Sequence, residues 1–326
     1  MDMFPMTDSV PPAPSTALPS LSEARVHHVE RLCREHYLMT LSLAAGQHTH
    51  YQGAAPGQFV HLKPQADDTG GGAALTQPLL RRAFSISDMR TENSGDGASR
   101  LDVDIIYRVV GQATVWLAGL HVGDAVSVIG PLGQPFPTPS SDVSILVAGG
   151  VGLPPLLWHA EKLRAFGQRC VVFYGAQTRD LLAIPLGDSS QYATDGSSVT
   201  LSGPDRFSAA GAELVISTDD GSLGFKGYAP QALALFLKNN ELDASRTAIY
   251  TCGPEVMMKA VAEVCRESGV EGFLCMERSM ACGTGTCQSC VVEVADEAAV
   301  EGWRYSLCCT EGPVYSSNDV LWSVAR

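Results

Sequence analysis

The chain has 326 residues, 45 % of them hydrophobic, a net charge of −13 and ten cysteines. That length suggests two or three domains with cores of their own. No apolar run approaches the roughly 20 residues a membrane helix needs, and the acidic balance argues against nucleic acid as a partner.

Residues 1–22 open with MDMFPMTDSVPPAPSTALPS. The stretch lacks a basic n-region and an apolar h-region, so it does not read as a secretory signal. Its Pro, Ser and Thr content reads as a disordered tail. The expected location is the cytoplasm, where cysteines stay reduced and serve chemistry or metals.

Residues 23–141 read as an antiparallel β-barrel. LDVDIIYRVV (101–110) begins with the apolar–polar alternation of a half-buried strand, and DAVSVIG (124–130) repeats it. GPLGQPFP follows as a loop. KPQADDTGGGAALTQP (63–78) and TENSGDGASR (91–100) read as surface insertions. RRAFSIS (81–87) carries R-x-F-S, a pattern suited to a flavin. An arginine there pairs with a pyrophosphate, an aromatic lies along the ring or ribityl, and a hydroxyl reaches the ring near N5. Taken alone, the same four residues also fit a plain strand with an exposed basic pair.

Residues 142–270 change pattern. SILVAGG (144–150) is a short apolar run ending in glycines, and GLPPLLWHAEKLRAFG has helical periodicity, with prolines in its first turn and Gly167 at its end. Strands CVVFYGA (170–176), ELVIST (213–218) and TAIYTCG (247–253) follow, interleaved with helices QALALFLKNN and EVMMKAVAEVCRESG. Alternation of this kind predicts an α/β doubly wound parallel sheet. Its ligands bind beyond the carboxyl ends of the strands: Gly149–Gly150, Tyr174–Gly175, Thr218–Asp219 and Cys252–Gly253. AGGVGLPP gives G-x-G-x-x-P rather than the full dinucleotide fingerprint. Residues 184–212, rich in Gly, Ser and Asp, read as a further insertion.

Residues 271–326 form a small C-terminal domain around MACGTGTCQSC. Cys282-x4-Cys287-x2-Cys290 is the spacing of a plant-type 2Fe–2S cluster. A structural zinc site would show two short ligand arms instead. Gly283 and Gly285 let the backbone curl round the sulfides and offer amide donors. The fourth ligand lies in YSLCCTEGPVY. On a strand, Cys308 and Cys309 would face opposite ways, and spacing does not choose between them. Cys33, Cys170, Cys265 and Cys275 read as core fillers. Glu277 reads as a surface charge or a support for the cluster. The histidines lack metal-ligand spacing.

A barrel with R-x-F-S followed by a nucleotide sheet resembles the ferredoxin reductase superfamily. The stretches RRAFSIS, IIYRVVGQAT, GDAVSVIGPLGQPF, AGGVGLPPL, STDDGSLGFKGY, YTCGPEVMMKAV, CMERSMACGTGTCQSCVV and LCCTEGPVY resemble, in order, the electron-transfer subunit of class 1B dihydroorotate dehydrogenase. The resemblance implies FAD, NAD and a 2Fe–2S cluster as cofactors. Arg82, Phe84, Ser85 and Ser87 would line FAD. Tyr107, Arg108, Val109, Gly111 and Thr114 would hold the flavin and its pyrophosphate. Gly150 and Gly152 would approach the nicotinamide nucleotide, with Cys252 beside its ring. Asp219 and Asp220 would lie near its ribose or near the linker to the flavin. Cys282, Cys287, Cys290 and Cys309 would ligate the cluster. Cys309 is preferred because the family pattern is Cys, two residues, then GPV[FY], and Thr310 and Glu311 fill that gap.

The resemblance also implies an FMN-containing catalytic subunit as partner, in a heterotetramer. That partner would oxidise dihydroorotate, and this chain would pass the electrons to NAD+ in pyrimidine biosynthesis. No catalytic acid–base residues are expected here. One alternative is the small subunit of NADH-dependent reduced ferredoxin:NADP oxidoreductase, or of a sulfide- or hydrogenase-linked reductase. That subunit shares GTG but carries aspartate, in M-x-D-G-T-G, where this chain has Cys282. Another is a scaffold that kept the fold and lost its cofactors; the intact cysteines and R-x-F-S argue against it. The tail and the 63–78 and 184–212 insertions are long for this family.

Overall fold

The computed structural model describes residues 19–64, 80–93, 99–138, 140–186, 192–200 and 206–322. Residues with every second side chain inward begin the chain: β1 (Ser20–Cys33) buries Ser22, Ala24 and Val26 and exposes the residues between them. With β2 (His36–Ala44), β3 (Phe59–Lys63), β4 (Arg82–Asn93), β5 (Ser99–Arg108) and β6 (Ala125–Leu132) it closes a barrel in the order β1-β2-β5-β4-β3-β6. All its pairings are antiparallel. A short helix, α1 (Gln112–Ala118), links β5 to β6.

Two boundaries differ from the sequence expectation. Ser20–Ser22, assigned to the tail, form the start of β1 and pair with Val128–Gly130. Of TENSGDGASR, residues 91–93 and 99–100 are strand: Thr91 pairs with Leu101 and Asn93 with Ser99. Backbone pairing tolerates polar side chains on a solvated face. Residues 1–18, 65–79 and 94–98, which take in most of the tail and of the 63–78 insertion, lie outside the described residues.

The second layer is built from β7 (Val143–Gly149), α2 (Leu153–Ala165), β8 (Arg169–Ala176), β9 (Val199–Thr200), α3 (Arg206–Ala209), β10 (Glu213–Thr218), β11 (Phe225–Lys226), α4 (Ala229–Asn239), β12 (Thr247–Cys252) and α5 (Glu255–Ser268). Beyond them come β13 (Glu271–Cys275), the hairpin β14 (Val291–Ala295) and β15 (Trp303–Leu307), and β16 (Val314–Ser316). The sheet runs β11-β10-β8-β7-β12-β13-β16, with β9 pairing β10. β7, β8, β10 and β12 are almost wholly buried, as strands covered on both faces must be. Pro154 and Pro155 open α2 at positions where a missing N–H costs nothing. Gly269, at φ 70, ends α5.

Part of the 184–212 insertion packs inward. Ile184, Tyr192 and Phe207 are buried in the core beside the sheet. Residues 187–191 and 201–205 lie outside the described residues. The sheet also extends past residue 270, since β13 pairs in parallel with β12, and β16 pairs antiparallel with β13.

Two contacts fix the barrel against the sheet. Trp158 of α2 is buried in the barrel core. Arg206 of α3 donates to the Ser87 carbonyl at 2.7 Å and to Glu161 at 2.8 Å. The strand ends therefore face the R-x-F-S strand. No helix among the described residues is long and apolar enough to cross a membrane.

Candidate cofactor cavity and cluster loop

A cavity of about 610 Å³ opens where barrel, sheet ends and C-terminal segment meet. Arg82, Phe84 and Ser85 of β4 line it, with Tyr107 and Arg108 of β5. Gly111 and Thr114 come from the turn into α1, and Cys252 from the end of β12. β4 and β5 pair as neighbours in the barrel, which brings these residues together at one rim. Phe84 meets Tyr107 edge-on at 6.0 Å, and Tyr107 stacks on Tyr37 at 5.8 Å. The buried Tyr107 hydroxyl has no partner, as expected of a group that awaits a ligand atom.

The arginines divide their work. Arg81 turns into the scaffold and donates to the carbonyls of His61 and Ser127 at 3.1 and 3.0 Å. Arg108 is paired with Glu35 at 2.8 Å. Arg82 donates only to the carbonyls of Leu80 and Arg81 and has no carboxylate partner among the described residues. It is the cation left to meet a phosphate. Thr114 Oγ1 accepts from the N–H groups of Val110 and Gly111 and fixes that turn.

Ser87 and Val109 do not reach this cavity. Ser87 is fully buried behind it with an unpartnered hydroxyl, and Val109 packs against the barrel core. Gly150 and Gly152 also differ in role. Nothing lies within 4 Å of a Cβ built on Gly150, whose φ is +53°, so its backbone faces open space. A Cβ on Gly152 would lie 2.0 Å from the Cys252 carbonyl oxygen, so this glycine exists for strand contact. Asp219 and Asp220 follow β10. Burial, then the Asp220 charge, holds the Asp219 carboxyl above its usual range. Asp220 accepts from the hydroxyl and N–H of Ser222 at 2.7 and 3.0 Å, which lowers its pKa. Asp220 lines a different cavity, of about 660 Å³, with Thr178 and Arg179.

Sequence reasoning missed the floor of the first cavity. Cys275, Met276, Glu277, Arg278 and Met280 line it. Cys275 is no mere core filler: it stands in register with Cys252 across β12 and β13. The available signal was two strands each ending in cysteine. Glu277 is exposed at the mouth yet closely surrounded, and that surrounding raises its pKa. Cys33 is half-exposed rather than core, and partial burial pushes its thiol up to about 11.

Cys282 lies just beyond this floor, and the loop it opens wraps its own sulfurs. Cys282 Sγ accepts the N–H groups of Thr284 and Cys287, each at 3.4 Å. Burial opposes ionisation of Cys282, but these donors prevail and bring its pKa down to about 6. The Ser289 hydroxyl beside Cys287 lowers that thiol as well. Gly285 donates to Cys309 Sγ. Burial, and then the neighbouring Cys290, push the Cys309 thiol up to about 12. Thiolates held by N–H donors are the ligand chemistry an iron–sulfur group requires. Among the described residues, no three His, Cys, Asp or Glu side chains close on one ion-sized point. Cys308 and Cys309 lie in the turn after β15, not on a strand. The turn still separates them, because Cys308 Sγ points to the Met276 carbonyl.

Comparison with known proteins agrees. The iron-sulfur cluster binding domain of dihydroorotate dehydrogenase B matches residues 277–321. The dihydroorotate dehydrogenase B (NAD(+)) electron transfer subunit of Desulforamulus reducens is 35 % identical over 272 residues, covering 82 % of this chain and 87 % of that one. That of Fusobacterium nucleatum is 31 % identical over 269 residues, covering 81 % and 86 %. Among solved structures, a chain of NADH-dependent reduced ferredoxin-NADP oxidoreductase superposes with a TM-score of 0.68 at 23 % identity, covering 94 % and 91 %. The cytochrome b5 reductase domain of Ulva prolifera nitrate reductase gives 0.52 at 15 %, covering 77 % and 94 %. The two structures share the fold; the two sequences share far more, and this chain belongs to the family of dihydroorotate dehydrogenase B (NAD(+)) electron transfer subunits.

Proposed function

We propose that this chain carries electrons from an FMN-containing dihydroorotate dehydrogenase subunit, in a cytoplasmic heterotetramer, to NAD+ for pyrimidine synthesis. One observation carries the reading. Residues 275–278 and Met280 line the cavity, and the cluster loop begins at Cys282, so the two sites share one stretch of chain. When bound, FAD exchanges electrons in pairs or singly, the cluster carries them singly, and nicotinamide takes a hydride.

The residues of this chain bind and orient. Arg82 would neutralise the FAD pyrophosphate, Phe84 and Tyr107 would flank the flavin, and Ser85 would hydrogen-bond near its reactive edge. Thr114 would fix the turn whose Gly111 approaches the cofactor. Ser87 and Val109 would support that wall from behind. Gly150 would allow the nucleotide close to the β7–α2 turn, which Gly152 packs against Cys252. Asp219 and Asp220 would address the nucleotide ribose at the β8–β10 ends. Cys282, Cys287, Cys290 and Cys309 would hold the cluster.

The test is affinity purification of the tagged chain from its native cells. A visible flavin and iron–sulfur spectrum, with NAD+ reduced on addition of dihydroorotate, is the expected result. The same spectrum, without a dihydroorotate response but with NAD(P)H-driven ferredoxin turnover, would move the chain to the alternative reductase.

A further inference from the structure

His61 is completely buried on β3, and neither of its ring nitrogens has a hydrogen-bond partner. Its backbone is fixed on two sides: it pairs with Ala83 of β4, between Arg82 and Phe84, and its carbonyl accepts from Arg81. The ring leaves the barrel and meets the cluster loop. A Cβ built on Gly283 would lie 2.6 Å from His61 Nδ1. Any side chain at 283 would displace the ring, so glycine there serves this contact as well as the loop's own turn. The backbone at Met280 and Cys282 lies near the ring without completing a hydrogen bond.

A neutral imidazole carries one N–H donor. Leaving such a donor buried and unpaired is costly, and a fold rarely tolerates it without a partner in the working state. The loop that the ring meets begins at Cys282, whose thiolate is an anionic acceptor. We propose that His61 donates an N–H···S hydrogen bond to the cluster, at the Cys282 thiolate or an inorganic sulfide, and so tunes the cluster's potential from the flavin-binding barrel. The proposal rests on the cluster assignment above. His61 is a positioning residue in it: no proton or electron leaves the ring. A donor to sulfur stabilises the reduced, more negative cluster and raises its potential. It would make the strand that borders the flavin wall part of the cluster's surroundings.

The experiment is a redox titration of the cofactor-loaded complex, followed by the electron paramagnetic resonance of the reduced cluster. His61→Leu fills a similar volume without a donor, and His61→Gln keeps an N–H. At the wild-type midpoint, His61→Leu should show a reduced-to-oxidised ratio lower by roughly tenfold, or about 59 mV for one electron. His61→Gln should stay within roughly threefold of wild type, or about 28 mV on the same scale. A His61→Leu midpoint equal to wild type, or equal shifts in both variants, overturns the proposal and leaves His61 as packing. If a variant loses its cluster, wild-type protein carrying nitrogen-15 histidine decides: a histidine coupling to the reduced cluster supports the bond, and its absence overturns it. A wild-type complex without any iron–sulfur spectrum would refute the cluster assignment itself, a result distinct from an unshifted midpoint.

Discussion

Gly285 donates its backbone N–H to the Sγ of Cys309 at 3.2 Å, while Cys308, one residue earlier, turns its Sγ to the Met276 carbonyl at 3.5 Å. Adjacent thiols thus face separate surroundings. Cys309→Ser should abolish the iron–sulfur absorption of the purified chain, and Cys308→Ser should leave it in place. Loss with Cys308→Ser alone would reverse the ligand assignment.

Arg82→Ala should weaken FAD retention by roughly tenfold or more, since a hydrogen bond to a charged group is worth about 1.5–3 kcal/mol. Arg108→Ala should do less to FAD, because Glu35 already occupies that guanidinium. Flavin content after dialysis compares them, and an Arg82→Ala chain with full FAD would remove Arg82 from the pyrophosphate.

Gly152→Ala and Gly150→Ala should fail in different ways. The first drives a methyl into the Cys252 carbonyl and should cost about 1–3 kcal/mol of stability, as overpacking does. The second meets no atom within 4 Å and should cost only the strain of its left-handed backbone, about 1–2 kcal/mol. Denaturant melts give the stabilities, and NADH titration should show Gly150→Ala weakened in nucleotide binding.

His159 packs between Phe136 and Tyr250, with ring centroids 4.8 and 4.4 Å away. Burial drops its pKa to about 3, against about 6.5 in the unfolded chain. Between those values the unfolded state binds the extra proton, so stability falls as pH falls through that window and is fully present above it. The slope is about 1.4 kcal/mol per pH unit for one proton. His159→Phe should flatten this acid limb in melts between pH 6.5 and 4; an unchanged slope would show that other groups set it.

Much of this architecture was legible because its signals are local. R-x-F-S lies on one strand, the cysteine triplet on one loop, and the βα alternation follows hydrophobic runs of strand length. What was missed is nonlocal. Cys275 joins the cavity only because β13 happens to pair with β12 in a register that sets it beside Cys252. The split between Arg81, Arg82 and Arg108 depends on carbonyls and a carboxylate up to 73 residues away in sequence. Ile184 and Tyr192 gave no periodic signal because polar neighbours mask single buried anchors. Thr91–Asn93 and Ser99–Arg100 read as insertion because polar residues dominate that stretch, although they pair as strand.

β16 lies beyond the cluster loop in sequence, yet it hydrogen-bonds to β13, and Pro313 bridges back to Gln134 at the end of the barrel. The cysteine-bearing loop is therefore stitched into the protein at both of its ends. A detachable ferredoxin-like pendant could be traded between reductases by fusing genes at a linker. Here a graft would have to bring its own matching edge strand and its own contact with the barrel. Inheritance of this chain should favour descent as one piece, with change confined to residues that leave those seams intact.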